Sequence, residues 1–314
     1  MVNVVLIGAI AVDFIAKVDH IPRADEIVFV KDLKIEPGGS TANIAVALSR
    51  LGVKCGFIGK IGSDMYGRFL IESLKREGVD TSRIIMAEDG PSARTFIAVS
   101  EQGEKVVFAL GGRALIESID EIDLAYLGKS RIMYIGEVIP NIGKKIIEHA
   151  KAHGVKVIYG PGVMSNMGLD YLREIISQSD IVVLSKIEFM KLLSEPVNIA
   201  DGMRKLSNLG PEVIILTLGE EGAQAYVKKT NRIVFKSAFK VKPIDTTGAG
   251  DAFTAGIIFS LLKNLSWEDS LTVGNAVATL KIQRQGPRNS PYLREVIDFL
   301  MTHGLSNLAL KLRV

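Results

Sequence analysis

Between residues 130 and 217 the chain alternates short apolar runs with longer amphipathic ones. Residues 132–135, 155–159, 181–184 and 213–216 are strand-length, rich in β-branched side chains and apolar throughout except for Lys156. Residues 142–153 and 169–177 carry helical periodicity between them. A strand that is apolar at every position must be covered on both faces, and parallel strands need a crossover long enough to hold a helix. The alternation therefore predicts an α/β fold with a mostly parallel central sheet flanked by helices. Residues 4–8 read as one more buried strand, ended by glycine. Ligands on such sheets sit beyond the carboxyl ends of the strands. Glu137 follows one predicted strand, Ser185 to Glu188 another, and Thr217-Leu218-Gly219 a third.

A second constraint is the junction Ile244-Asp245-Thr246-Thr247-Gly248-Ala249-Gly250-Asp251, which runs into a helix with apolar residues at 257–262. Gly248 and Gly250 allow backbone angles that a Cβ forbids and let a ligand approach the main chain. The first N–H groups of a helix have no intrahelical partner and lie at the positive end of its dipole. Such a junction suits phosphate. A carboxylate there repels phosphate unless it has a task. The task that fits Asp251 is to take a proton from an attacking hydroxyl while the N–H groups of Ala249, Gly250 and Asp251 hold the phosphoryl group. The plainer alternative is an acid placed favourably in a helix first turn.

Pro37-Gly38-Gly39 leads into a helix with Ala42, Ala45, Val46 and Ser49 on a small-residue face, stopped by Gly52. Asn43, polar among small residues, calls for a buried hydrogen-bonding partner. Residues 14–35 read as a small antiparallel β piece with apolar patches at 27–30 and 33–35. Residues 95–99 and 105–109 read as a hairpin closed by Glu101-Gln102-Gly103-Glu104. Residues 266–314 read as mainly helical, with a turn at Gln285-Gly286-Pro287.

Composition excludes several classes. Of 314 residues, 47% are hydrophobic and 23% charged, the balance of a soluble globular protein. The 38 Lys+Arg against 35 Asp+Glu, scattered rather than massed, argue against nucleic acid as a partner. The lone Cys55 excludes an internal disulfide and a cysteine zinc cluster. His20, His149, His153 and His303 form no metal-ligand motif. Residues 1–18 are apolar but lack a basic start and are interrupted by Asp13, so a buried strand is expected there rather than a signal peptide. No apolar run is long enough to span a membrane. A cytoplasmic protein without membrane contact is expected, with residues 1–314 as a single domain.

The two glycine-bearing junctions, in this order and some 200 residues apart, resemble the two signatures of the ribokinase family, also called the PfkB family of carbohydrate kinases. The first continues into Gly59-Lys60-Ile61-Gly62-Ser63-Asp64-Met65-Tyr66-Gly67 as in that family. The resemblance covers essentially the whole chain. It implies a ribokinase-like fold and transfer of the ATP γ-phosphoryl group to a hydroxyl of a small sugar, with Asp251 as base and Gly248, Ala249 and Gly250 around the phosphoryl group. It implies that Asp13, Gly38, Gly39, Asn43 and Glu137 contact the sugar. Insertions 14–36 and 93–110 would form a β-sheet lid through which two copies pair as a homodimer. Thr217, Gly219 and Gly222 would line the nucleotide, with Asn275 near the adenine. The family's Asn-x-x-Glu stands here as Ser185-Lys186-Ile187-Glu188, so Ser185 replaces the Asn while Glu188 keeps its role toward Mg²⁺ through water. Asp245, Thr247, Gly286 and Ser290 match positions around a monovalent cation, K⁺, with Lys281 nearby.

The sequence leaves the acceptor open. A nucleoside kinase would use an aromatic platform, for which Phe14, Phe29, Phe96 and Phe108 are candidates. A phosphosugar kinase would need cations such as Lys17, Arg94 or Arg113. The intact Gly-Ala-Gly-Asp argues against a non-catalytic sugar sensor. Residues 8–13, Gly-Ala-Ile-Ala-Val-Asp, lack the glycine fingerprint of a dinucleotide-binding oxidoreductase.

Overall fold

The structure, a computed structural model, describes residues 2–193 and 197–313, so the expected domain ends Met1 and Val314 lie outside the described residues. Strand β1 (Val4–Ile7) is apolar and buried at every position. It leads into β2 (Ala11–Val18) and β3 (Asp32–Gly38), then α1 (Ser40–Arg50) and β4 (Cys55–Ile58). Strand β5 (Lys60–Gly62), helix α2 (Met65–Arg76) and strand β6 (Ile85–Ala87) form a small parallel pair with its crossover. Strands β7 (Arg94–Ser100) and β8 (Lys105–Gly111) are the expected hairpin. After α3 (Leu124–Leu127), strand and helix alternate as β9 (Ile132–Ile135), α4 (Pro140–Ala152), β10 (Lys156–Tyr159), α5 (Gly168–Gln178), β11 (Ile181–Ser185), α6 (Lys186–Leu193), α7 (Ile199–Asn208) and β12 (Val213–Thr217). Strands β13 (Gly222–Val227) and β14 (Arg232–Ser237) precede α8 (Ala249–Leu262), α9 (Trp267–Ile282), α10 (Leu293–Thr302) and α11 (Ser306–Arg313).

The central sheet has the order β14-β13-β12-β11-β10-β9-β1-β4. Every pair from β4 through β12 is parallel, as continuous apolar strands joined by helices require. The last two strands turn back antiparallel. That edge hairpin is not among the strands expected from the sequence. Its outer strand β14 is half exposed and breaks the apolar continuity that marks the others. Two apolar layers, one on each face of the sheet, form the core. Among the described residues no helix is long and apolar enough to cross a membrane.

Helix α8 is apolar around its whole circumference and buried from Ala252 to Ser260. It packs between α1 and α9. A Cβ on Gly256 would stand 2.8 Å from the Gly274 Cα, so α8 and α9 cross nearly backbone to backbone. Burial of Phe253, Ile257, Ile258 and Phe259 stabilises this placement by about 1.5–3 kcal/mol per side chain. The carboxyl ends of the strands and the start of α8 are thereby held together.

The smaller sheet has the order β3-β2-β7-β8. It joins the two expected insertions, with β2 antiparallel to β3 and parallel to β7. One expectation fails here. The apolar patch at 27–30 is not a strand; Ile27 and Phe29 stand 86% and 85% exposed, and pairing begins only at Asp32. With Pro22 and a left-handed Asp25 just before it, the segment never aligns against β2.

Candidate active site

Helices α1 and α8 lie side by side, and each begins at a glycine with no side-chain cap. At α1 the cap is Gly39, at φ +93°, where a Cβ would meet the Ala9 carbonyl oxygen at 2.7 Å. At α8 it is Gly248, at φ +78°, where a Cβ would meet the Pro287 carbonyl oxygen at 2.5 Å. Gly38 needs its small size for another reason: a Cβ would fall 2.1 Å from Asp13 Oδ2. The Ala249 N–H donates to the Thr246 carbonyl at 3.1 Å. Among the described residues no acceptor takes the N–H of Gly250 or Asp251.

Asp251 sits half-buried in the first turn of α8, against α1. Its Oδ1 accepts from Ser40 Oγ at 2.6 Å and its Oδ2 from Asn43 Nδ2 at 2.8 Å. Asn43 is in turn fixed by Arg288, whose Nε donates to Asn43 Oδ1 at 3.1 Å. The same guanidinium donates through Nη2 to the Gly38 carbonyl at 2.8 Å and through Nη1 to Ser73 Oγ at 2.7 Å. Burial pushes the Asp251 carboxyl above its ordinary value, and the bonds from Ser40 and Asn43 offset part of that rise. Burial also lowers Arg288 to about 10, which leaves it charged at neutral pH.

Asp13, on β2, is buried and accepts from Thr95 Oγ1 on β7. Burial raises its pKa, and Thr95 and Lys105 draw it back. Glu137 lies after β9, 7% exposed, and its Oε2 accepts from Thr41 Oγ1 at 3.0 Å and from the Ala9 N–H at 3.4 Å. Burial pushes it up to about 7. The structure thus ties Glu137 to the first turn of α1.

Ser185 and Glu188 close the start of α6 on each other. The Ser185 N–H donates to Glu188 Oε2 at 2.7 Å, and the Glu188 N–H donates to Ser185 Oγ at 3.2 Å. This is a capping box, in which Ser serves as well as Asn. Both residues line a cleft of about 90 Å³ with Asp251, Ser40, Tyr134 and Thr217. Burial raises the Glu188 carboxyl, and the charge of Asp251 raises it further.

Thr217 ends β12, and Gly219 and Gly222, at φ +64° and +120°, turn the chain into β13. Asn275, on α9, donates through Nδ2 to the carbonyls of Lys236 and Ser237, tying α9 to β14. Asp245 accepts from the N–H groups of Thr247 and Gly286, each at 2.9 Å. Burial pushes the Asp245 carboxyl up, but these bonds outweigh it and hold the group below its usual value. The Ser290 carbonyl is taken by Arg50 at 2.9 Å.

Arg288, Ser40 and Thr41 are functional neighbours that sequence reasoning did not single out as site residues, and Lys281 was noted only as lying near the cation positions. Ser40 and Thr41 follow Gly38-Gly39 directly and could have been read as part of that junction. Arg288 has no local signature. Lys281 is fully buried, and its Nζ donates to the carbonyls of Asp245 at 2.9 Å and Arg284 at 3.5 Å. A charged side chain in the last turn of a helix that also carries Glu268, Asp269 and Asn275 announces none of this. Of the cations considered for an acceptor, Arg113 is bound by Asp89 and Glu117. Arg94 points to the face of the small sheet opposite Asp13.

A family model, that of the pfkB family carbohydrate kinases, matches residues 1–293. The ribokinase of Haemophilus influenzae is 29% identical over 303 residues, covering 94% of this chain and 97% of that one. The ATP-dependent ribose-1-phosphate kinase of Halopiger xanaduensis is 29% identical over 302 residues, covering 96% and 98%. The crystal structure of ribokinase from Thermotoga maritima superposes with a TM-score of 0.85 at 26% identity, over 96% of this chain and all of that one. The fold is that of ribokinase, and the chain belongs to the pfkB family of carbohydrate kinases.

Proposed function

We propose that the protein is an ATP-dependent kinase that phosphorylates a hydroxyl of a small sugar, with Asp251 as general base. The observation that carries this reading is the Asp251 carboxylate, held on both oxygens by Ser40 and Asn43 at the uncapped start of α8. Each carboxylate oxygen keeps a second lone pair for an incoming hydroxyl. The raised pKa makes Asp251 a better proton acceptor than an exposed aspartate, while leaving it ionised when the surrounding pH is higher still. The free N–H groups of Gly250 and Asp251 are oriented to hold the phosphoryl group as its charge spreads in the transition state. The Ala249 N–H, occupied by Thr246, is left to shape the turn.

In this reading Asp13, the main chain at Gly38 and Gly39, and Asn43 hold the acceptor, while Glu137 positions α1. The nucleotide runs past Thr217, Gly219 and Gly222 toward α9. The small sheet acts as a lid, its exposed outer face pairs two copies, and the whole forms one domain. ATP dependence places the enzyme in the cytoplasm with its nucleotide. Glu188 fits a magnesium ion carried by the phosphates, because its Oε1 has no partner among the described residues and Mg²⁺ takes few protein carboxylates. Bound there, the ion would neutralise phosphate charge. Potassium fits less well: Asp245 already accepts an N–H on each oxygen, and the Lys281 ammonium already occupies nearby carbonyls. We assign Lys281 the role of fixed cation beside α8.

The nucleoside reading loses its support in the small sheet. Phe14, Phe96 and Phe108 alternate onto the face away from Asp13, and Phe29 lies outside the strands. The test is ADP release with ATP and Mg²⁺ against sugars, sugar phosphates and nucleosides. Turnover on sugars supports the proposal. Turnover confined to nucleosides would replace it, and ATP binding without any turnover would point to a sensor.

A further inference from the structure

The face of the small sheet that looks at α8 carries a charge pattern that the kinase reading leaves unexplained. Pairing register places Glu36, Asp13, Thr95 and Ala109 in one row across the sheet. The next row on that face is Lys34, Ile15, Ile97 and Val107. The third is Asp32, Lys17, Val99 and Lys105. Three lysines thus ring an apolar centre of Ile15, Ile97 and Val99, one and two rows beyond the acceptor residue Asp13. A cavity of about 780 Å³ lies between this face and the loops at 243–247 and 285–289. Its size falls in the range of small-ligand sites, roughly 300–1,000 Å³.

The lining of this cavity carries more positive than negative charge. Lys17, Lys34 and Lys105 all line it, and none forms an ion pair among the described residues. Lys31, at the far edge of the same sheet, is by contrast bound by Asp19 and Glu101. The lining carboxylates are Glu36 and Asp245, and Asp245 accepts one N–H on each oxygen, from Thr247 and Gly286. Three ammonium groups therefore face two lining carboxylates, with Asp32 across from Lys17 at the sheet edge. Unpaired like charges gathered on one concave face repel each other, and an anion there relieves the repulsion.

We propose that the acceptor is an anionic sugar, its phosphate or carboxylate group held by Lys17, Lys34 and Lys105 and its free hydroxyl directed to Asp251. This rests on the kinase reading and names its substrate class. A strand rises about 3.3 Å per residue, so Lys17 starts roughly 13 Å from Asp13, and its side chain reaches back over about half of that. The remaining span is that of one sugar ring. In the reaction the acceptor oxygen forms a bond to the γ-phosphorus, the bond from that phosphorus to the β-bridging oxygen breaks, and ADP leaves. The hydroxyl proton goes to Asp251. The lysines touch only the acceptor's resident anion, and the phosphoryl group in flight lies at α8.

The test compares matched acceptors: ribose with ribose 1-phosphate and ribose 5-phosphate, and glucose with gluconate and glucose 6-phosphate. Turnover of each is read as kcat/KM, and binding as Kd in the presence of a non-hydrolysable ATP analogue. The expected result is a preference of about 10²-fold or more for an anionic member over its neutral counterpart, since each charged hydrogen bond contributes about tenfold or more. The phosphate and carboxylate arms tell which anion is used. Lys17→Gln and Lys105→Gln should each lower that preference by about tenfold, with the fold retained by circular dichroism. Equal or better use and binding of the neutral sugars would overturn the inference while leaving the kinase reading intact. So would a rise in the KM for ATP in the lysine variants with an unchanged acceptor ratio, because it would reassign the lysines to the nucleotide. No turnover on any arm would count against the kinase reading, and the binding ratio would still decide the inference.

Discussion

Two helix starts meet at the same small cleft, and they are finished in opposite ways. Helix α6 is closed by its own residues, Ser185 and Glu188, each bonded to the other's N–H. Helix α8 begins at Gly248 with no side-chain cap, and the N–H groups of Gly250 and Asp251 find no acceptor among the described residues. Both carry an acid in the first turn. At α6 the acid satisfies its own helix. At α8 it turns away to Ser40 and Asn43 on the neighbouring helix and leaves the N–H groups open. A helix start that spends its acid on itself is structural, and one that leaves its donors free is prepared for an anion.

The largest effect expected from this contrast is at Asp251. Asp251→Asn keeps the size and one accepting oxygen but loses the base, and should lower kcat by about 10²–10⁴-fold in steady-state assays. Near-normal turnover would erase the distinction between the two helices. Next is Lys281, which joins the loop before α8 to the loop after α9. Lys281→Met should lower kcat by up to about 10²-fold through displacement of those loops. K⁺ or NH₄⁺ should restore part of that loss while leaving the wild type unaffected. A wild type that requires K⁺ would return the cation role to a bound ion.

Much of the fold was legible because buried parallel strands announce themselves as continuous apolar runs, as residues 132–135 and 213–216 do. The edge strand β14 did not, because half of it faces solvent. In the site, Gly248 to Asp251 could be read locally, since the turn and the acid are adjacent in the chain. Arg288 could not, because its partners Asn43 and Gly38 are some 250 residues away. Ser185-x-x-Glu188 shows a different limit. The capping pattern was present in the sequence, yet resemblance directed attention to magnesium and phosphate instead of to the helix start.

Smaller effects sharpen the comparison through the first turn of α1, where Glu137 binds Thr41. The pKa of Glu137 rises from 4.5 to about 7 in the fold. A raised pKa contributes stability that is complete below the unfolded value and lost as pH rises through the folded one. Between those two pH values the wild type should therefore lose about 3 kcal/mol relative to Glu137→Gln, measured as urea unfolding midpoints. A pH-independent difference would mean that Glu137 ionises normally. The smallest expected effect is at α6. Ser185→Ala should cost about 1 kcal/mol of stability with little change in kcat. Glu188→Gln should keep the cap but raise the Mg²⁺ concentration needed for half-maximal rate.

The central claim is that the Asp251 carboxylate collects the acceptor's proton at the open start of α8. The pH dependence of kcat/KM, measured for the wild type and for Asp251→Asn, tests it most directly. The account predicts an acidic limb in the wild type, falling about tenfold per pH unit below a pKa above the ordinary aspartate value, and no such limb in the residual activity of the variant. An identical limb in both proteins would contradict it and assign the proton to another group.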